Sequence, residues 1–297
     1  MRVRAFAKIN RSLRGLGTRA DGYHHLRTIF QSIALHDTLT IRAIRGPLRL
    51  TCDDAACPVD DTNLIARAAA RMWTAAGRRG APRDVAIDLQ KRIPMQAGLG
   101  GGSSDGAAAL RALAKRWRVG EAKVRAAAAA LGADVPYFLE GGAALGLERG
   151  DLLFSLAEPP AAWVVLVLPD FGVSTQDAFA WFDERADTRV GGYDGADPPV
   201  RPGDGALDPR VRRFGEFVND LEAPLVARHP DVGRIISALR RARASQAAMS
   251  GSGSAVFGIF GSRSAALRAA RQLASRSRRT LVTRTLDRRT YQRLAAT

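Results

Sequence analysis

Residues 98 to 102 read Gly-Leu-Gly-Gly-Gly, and Ser103 and Ser104 then lead straight into an alanine- and leucine-rich stretch. Four glycines in five residues cost backbone entropy and offer no side chain to a core, so they are worth having only where other atoms must come close to the main chain. Placed immediately before a helix, the turn exposes amide N–H groups next to the positive end of a helix dipole, which together form an anion site. Read without that close approach, the same stretch is a flexible loop with a serine cap. It is not a Walker A loop, because no Gly-Lys-Ser/Thr follows, and Ser103 stands where a dinucleotide fingerprint needs its third glycine. P-loop and Rossmann architectures are thereby disfavoured.

Hydrophobic periodicity gives strands over Arg2 to Ala7, Leu26 to Ala34, Thr38 to Arg42 and Val85 to Leu89. Helices are expected over Asn63 to Ala76, Ser104 to Arg116 and Glu121 to Leu131, the last ending at Gly132. The pattern breaks at Glu158-Pro-Pro, and Trp163-Val-Val-Leu-Val-Leu reads as a buried strand opening a second layer, which divides the chain into domains of residues 1–158 and 159–297. Beyond it come helices over Gln176 to Asp183 and Asp231 to Ala242, a strand over Ala255 to Phe260, a helix over Ser264 to Ser275 and a final strand over Thr280 to Thr285. That succession predicts an α+β sandwich of two helices on a small sheet. Asp187 to Pro209, rich in Gly, Asp, Pro and Arg, reads as a solvated loop that carries no chemistry.

No apolar run nears the ~20 residues that cross a bilayer, and the first residues lack a signal-peptide core, so a cytoplasmic location is expected. Cys52 and Cys57 are the only cysteines and have no histidines at ligand spacing, which supports neither a zinc site nor a disulfide framework. The net charge of +16 comes almost wholly from scattered arginines. With no interleaved aromatic platform it points to an arginine-biased composition or to phosphate-bearing substrates, against a non-catalytic nucleic-acid binder. Lysine occurs only at positions 8, 91, 115 and 123.

Lys8 and Asn10 share one face of the first strand and can converge on a ligand, although a strand-end lysine is ordinarily a solvated charge. Asp134 follows a helix C-terminus, where the dipole disfavours an acid, yet aspartate is also a common turn residue. Asp21-Gly-Tyr-His offers an aromatic face at Tyr23 and an imidazole at His24, or else a hairpin tip packed on its own domain.

Pro94 to Ala107 resembles the signature of the GHMP kinases, in the Gly-Leu-Gly-Gly-Gly-Ser-Ser form typical of the diphosphocytidyl-methylerythritol kinases among them. Ala7-Lys-Ile-Asn-Arg-Ser-Leu with Arg19-Ala-Asp-Gly-Tyr-His-His-Leu, Leu131-Gly-Ala-Asp-Val-Pro-Tyr-Phe-Leu and Ser250-Gly-Ser-Gly-Ser-Ala-Val-Phe match further blocks in order. The resemblance implies a GHMP kinase fold, with a ribosomal-protein-S5-like β/α domain followed by a ferredoxin-like α/β sandwich. It implies ATP with Mg²⁺, the metal carried by the nucleotide with no metal site of the protein's own. The acceptor would be a cytidine-diphosphate-linked methylerythritol, phosphorylated by a monomer or weak dimer without nucleic-acid or membrane partners. Homoserine, mevalonate and sugar kinases of the same superfamily are the nearest alternatives.

Carried over by motif, the general base is Asp134 and its partner Lys8. The nucleotide falls to Asn63, Lys91, Pro94, Met95, Gly98, Leu99, Gly100, Gly101, Gly102, Ser103 and Ser104. The acceptor falls to Asn10, Tyr23, His24, Phe30, Thr175, Phe179, Gly251 and Gly253. Arg11 and Arg14 depart from the apolar residues usual in the family after Lys-Ile-Asn, which leaves open how that strand packs.

Overall fold

The computed structural model describes residues 1–19, 22–186 and 218–296, so Asp21 and the expected loop from Asp187 to Pro209 lie outside the described residues. Its framework is an antiparallel pair of long strands, β1 (Arg2–Thr18) and β2 (His24–Pro47). Two short strands were expected where β2 runs unbroken, because no glycine or proline interrupts Leu26 to Arg45. Asp37, a turn former in isolation, is instead recruited by tertiary structure: its carboxylate accepts from the amide of Ile93 at 2.8 Å and from that of Arg92. The length of β2 lets it serve two neighbours in tandem. Its first half pairs with β5 (Ala143–Glu148) and its second with β4 (Arg83–Gln90). Two short edge strands, β3 (Arg49–Cys52) beside β4 and β6 (Leu152–Ser155) beside β5, complete a six-stranded sheet.

Helices α1 (Leu64–Ala75), α2 (Gly101–Trp117) and α3 (Glu121–Leu131) bury a common core with this sheet, and a short turn α4 (Tyr137–Glu140) follows. The alanines of α2 have a packing reason: the helix contacts β1, β2, α1, α3 and α4, and Ala107, Ala108, Ala109 and Ala112 are all buried among them. Larger side chains would not fit at interior packing density.

The second half holds β7 (Trp163–Pro169), α5 (Thr175–Ala186), α6 (Glu222–Arg228), α7 (Pro230–Arg241), β8 (Gln246–Met249), β9 (Val256–Phe260), α8 (Arg263–Leu273) and β10 (Arg278–Arg284). Its antiparallel sheet runs β10-β7-β9-β8 with α7 and α8 packed on it, the split βαβ arrangement of a ferredoxin-like sandwich. β7 explains its own sequence. Val165 and Val167 face the helical core with Ile235 and Ile236, while Val164, Leu166 and Leu168 face Ala7, Ile9, Ile33 and Leu99 of the first half. A strand buried on both faces reads as an unbroken apolar run. Each such side chain contributes about 1.5–3 kcal/mol, so the junction between the halves is a core in its own right.

After β10, where the sequence reading ends on a strand, the chain adds α9 (Arg288–Ala295). This helix returns to the first half: Tyr291 packs on Phe6 at 5.5 Å and its hydroxyl donates to the Phe138 carbonyl at 2.7 Å. Its surface is mostly arginine and polar, and only Tyr291 and Ala295 are buried.

Candidate active site

β1 supplies Lys8 and Asn10, and irregularities in its pairing with β2 fall on either side of them, between Phe6 and Lys8 and between Asn10 and Ser12. Such bulges re-aim side chains. Both residues are almost fully buried, at 4% and 2% exposure. The Lys8 ammonium donates to Asn10 Oδ1, lies 3.5 Å from Asp134 Oδ2 and sits 5.6 Å from the centre of the Phe30 ring. Asn10 is itself oriented, since its Nδ2 donates to Thr28 Oγ1 at 2.7 Å and that hydroxyl donates to the Ser12 carbonyl at 2.8 Å. Asp134 sits two residues beyond Gly132, the C-cap of α3, and its side chain is one-third exposed. A buried amine therefore meets a carboxylate that is open to the cleft.

The glycine turn divides its labour. A Cβ at Gly98 (φ +71°) would lie 1.9 Å from the Ser250 carbonyl oxygen, and one at Gly100 (φ +70°) 2.6 Å from the Phe138 ring and 3.1 Å from Lys8 Cε. These two glycines admit the protein's own atoms. A Cβ at Gly102 would meet nothing within 4 Å, so its open side faces the cleft. Gly100 caps α2 in the left-handed conformation with no side-chain cap, which leaves the first amides of the helix, at Gly101, Gly102 and Ser103, for a ligand. The Lys8 amide donates to the Leu99 carbonyl at 3.1 Å, fixing β1 to the turn. Ser104 does not face the cleft: its hydroxyl donates to the Phe6 carbonyl at 2.7 Å and anchors α2 instead.

The second half closes this end. Ser250 Oγ donates to the Gly98 carbonyl at 2.9 Å and accepts from the Asn10 amide at 3.2 Å. A Cβ on Gly251 (φ +54°) would come 3.0 Å from Asn10 Oδ1 and 3.3 Å from Lys8 Nζ, which places that backbone against the lysine. Gly253 turns away, and a Cβ there would strike Met249 and Leu225 of the second core, so it serves packing and does not line the cleft. Asn219, which no sequence signal marks, holds the loop through Nδ2 bonds to the Met249 and Gly251 carbonyls at 2.9 and 2.8 Å. Arg11 docks across the halves, donating from Nε to Gln246 Oε1 at 3.1 Å, and Arg14 lies opposite Arg27 on β2.

Pro94 and Met95 form the rim beside the turn, with Met95 exposed. Asn63 is not on the cleft wall. Its Oδ1 caps α1 by accepting from the Ile65 amide at 2.8 Å and its Nδ2 donates to the Pro58 carbonyl at 2.6 Å, so both ends of the amide are used. Lys91 lines the cleft, but its ammonium is held by Asp37 at 2.5 Å and Asp105 at 3.0 Å. Burial works against that charge, and the two carboxyls overcome it to hold Lys91 above the usual lysine range. Asp105 is pushed well above the usual carboxylate range by burial, with Lys91 opposing and Asp37 adding to the shift. Its Oδ1 has no hydrogen-bond partner.

At the other end Tyr23 is exposed, and Arg149 lies 5.4 Å from its ring centre. His24 is buried and stacks on Phe179 of α5 at 4.6 Å. Thr175 Oγ1 is 3.4 Å from Ser252 Oγ. Phe30 forms the floor: it is buried, with its ring 4.7 Å from that of Tyr137. Lys8, Asn10, Tyr23, His24, Phe30, Gly98 to Ser103, Asp134, Thr175, Phe179 and Gly251 thus border one cleft of about 1030 Å³. That is at or above the ~300–1,000 Å³ of a single small-molecule pocket. Arg149 and Asp183, which also border it, carry no motif and were not anticipated.

Residues 63–142 match the GHMP kinases N terminal domain and residues 205–278 the GHMP kinases C terminal domain. Among curated proteins, the 4-diphosphocytidyl-2-C-methyl-D-erythritol kinase of Moorella thermoacetica is 40% identical over 290 residues, covering 95% of this chain and 98% of that protein. The enzyme of the same name from Pelotomaculum thermopropionicum is 41% identical, covering 95% and 97%. A crystal structure of 4-(cytidine 5'-diphospho)-2C-methyl-D-erythritol kinase superposes with a TM-score of 0.75 at 33% identity, covering 96% of this chain and 99% of that one. Near-complete coverage in both directions, with the lysine, the carboxylate and the glycine turn brought to one cleft, means that the chain belongs to the 4-diphosphocytidyl-2-C-methyl-D-erythritol kinase family of the GHMP kinases.

Proposed function

We propose that this kinase transfers the γ-phosphoryl group of ATP to the 2-hydroxyl of 4-diphosphocytidyl-2-C-methyl-D-erythritol, giving the 2-phosphate and ADP, a cytoplasmic step in making isoprenoid precursors. The observation that carries the reading is the Lys8 ammonium 3.5 Å from Asp134, directly beside the glycine turn. Phosphoryl transfer asks a protein chiefly for alignment and charge neutralisation. The amides of Gly101, Gly102 and Ser103 at the start of α2 take the triphosphate. Asp134 Oδ2 accepts the hydroxyl proton as the oxygen attacks the γ-phosphorus and the bond to the β-phosphate oxygen breaks. Lys8, held by Asn10 and the Phe30 face, counters the charge on the attacking oxygen and the moving phosphoryl group. At the far end Tyr23, His24, Thr175 and Phe179 hold the cytidine.

Among the described residues there is no cluster of three metal-ligating side chains, and Ser104 is spent on Phe6. The donor set therefore suits a Mg²⁺ that arrives on the nucleotide phosphates, with Asp134 and Ser103 among the oxygen-bearing side chains of the cleft wall. When bound, that ion neutralises phosphate charge.

Asp134→Asn keeps the shape of the site and removes the base. Nucleotide affinity, measured by calorimetry, is expected to stay within about twofold, while turnover falls by about 10²–10⁴. Near-normal turnover would take the base role from Asp134.

A further inference from the structure

α5 meets the first half through one face, on which Thr175, Phe179, Phe182 and Asp183 recur at helical spacing. The ring of Phe182 fills the space over Gly15 of β1, where a Cβ would come within 2.8 Å. Phe179 stacks on His24 at 4.6 Å and 21°, Phe182 meets the same imidazole edge-on at 6.0 Å, and Asp183 Oδ1 lies 2.7 Å from His24 Nε2. The imidazole side chain is 8% exposed and the carboxylate 49% exposed, and both border the cleft. Neither proton transfer nor phosphate binding uses this pair.

A carboxylate can only accept, so the contact keeps a hydrogen on Nε2. In the neutral ring the other nitrogen, Nδ1, then carries a lone pair. No described residue hydrogen-bonds to it. We infer that Asp183 is a positioning residue that sets base selection: by holding the hydrogen on Nε2 it presents His24 Nδ1 as an acceptor for the exocyclic amino group of cytosine. Uracil carries a carbonyl oxygen at that position. Two acceptors would then face each other at an imidazole that is itself only 8% exposed, and an unmet buried polar group is what lets a pocket reject a close analogue. The inference rests on the cytidine reading above and adds to it the residue that discriminates.

The test uses the full-length protein with the ATP subsite filled by a non-hydrolysable ATP analogue, and titrates CDP and UDP by calorimetry. Wild type is expected to favour CDP. Asp183→Ala should shrink the CDP-to-UDP affinity ratio by about tenfold or more, whereas Asp183→Asn, whose amide oxygen still accepts from Nε2–H, should retain most of it. With the true acceptor, the alanine variant should raise KM for that substrate and leave kcat and the KM for ATP within about twofold. Nitrogen-15 spectra of histidine-labelled, ligand-free protein should show His24 as the Nε2–H tautomer in wild type and in the asparagine variant, and mixed in the alanine variant. An unchanged CDP-to-UDP ratio in Asp183→Ala, or an Nδ1–H tautomer in wild type, overturns the inference. Should the alanine variant not fold, the wild-type spectrum decides. Failure of wild type to phosphorylate its acceptor would refute the kinase reading, while the two titrations would still decide the role of Asp183.

Discussion

Replacing Asp105 with asparagine tests where a buried proton resides. Asp37, Lys91 and Asp105 place two carboxyls around one ammonium, all three buried. Asp37 also accepts from two backbone amides, whereas Asp105 has only Lys91 and an Oδ1 without a partner. The proton belongs on Asp105, as the upward push on its carboxyl by burial requires. In the unfolded chain an aspartate titrates near ~3.9. Between that pH and the higher folded value the native state keeps a proton that the unfolded state has released, so stability falls as pH rises, by up to about 1.4 kcal/mol per pH unit. Against a total of ~5–15 kcal/mol this is a large slope. Lys91 adds none in the same window: its folded value is raised, so its contribution is complete below the ordinary lysine range and is lost only as pH climbs through the folded value. Asparagine keeps the shape and carries no titrating proton. Urea unfolding of wild type and Asp105→Asn from about pH 4.5 to about pH 7 should give a difference, wild type minus variant, that falls as pH rises. Distant carboxylates cancel in that difference. A flat difference would mean that Asp105 is ionised in the folded protein and that the triad carries a net negative charge beneath the phosphate turn.

The two kinds of glycine in the turn should respond oppositely. Gly102→Ala meets no protein atom and improves helix propensity by up to ~1 kcal/mol, so Tm should hold or rise while KM for ATP increases, because the new methyl occupies the phosphate side. Gly100→Ala puts a Cβ at positive φ against Phe138 and Lys8, and should lose about 1–2 kcal/mol or more of stability together with activity; equal KM values for ATP in wild type and Gly102→Ala would remove the phosphates from the start of α2. Cys57, its thiol pushed up to about 12 by burial and by Cys52, should alkylate slowly at neutral pH. Asn63→Ala, which releases the α1 cap and the Pro58 carbonyl, should cost about 1 kcal/mol and speed that alkylation without raising KM for ATP.

What the chain disclosed in advance was whatever its physics writes locally. α3 keeps its expected limits of Glu121 and Leu131 because Gly120 and Gly132 bound it, and β7 is recognisable because both of its faces are buried. The glycine turn stands out since few other structures tolerate it. What stayed hidden is defined by partners. β8 has four residues and exists as a strand only beside β9, and β5 alternates nothing because Ala143 to Leu145 are all buried. The Asp37, Lys91 and Asp105 cluster joins positions 54 and 14 residues apart, a relation that no window of sequence contains. Asn63 shows the converse case: a motif position matched, and in the fold its amide caps α1 and holds the Pro58 carbonyl, a structural role the motif does not announce.

The position of Lys8 follows from the path of β1. Near its start the strand buries Val3 and Ala5 in the core of the first sheet, Ala7 and Ile9 lie at the junction, and Leu13 belongs to the core of the second half. Leu13 is held there by the Val218 carbonyl at 2.8 Å and by the Asp220 amide at 2.9 Å. Lys8 and Asn10 are therefore the polar residues at the point where one strand passes from one core to the other. A desolvated ammonium costs several kcal/mol unless its surroundings compensate. Here Asn10, the Phe30 face and Asp134 do so, while Gly100 and Gly251, where a Cβ would come 3.1 Å from Lys8 Cε and 3.3 Å from Lys8 Nζ, let the turn and the loop close in on the lysine. The lysine thus stands where two cores share a strand and where the cleft opens, so the junction and the proposed reaction centre coincide.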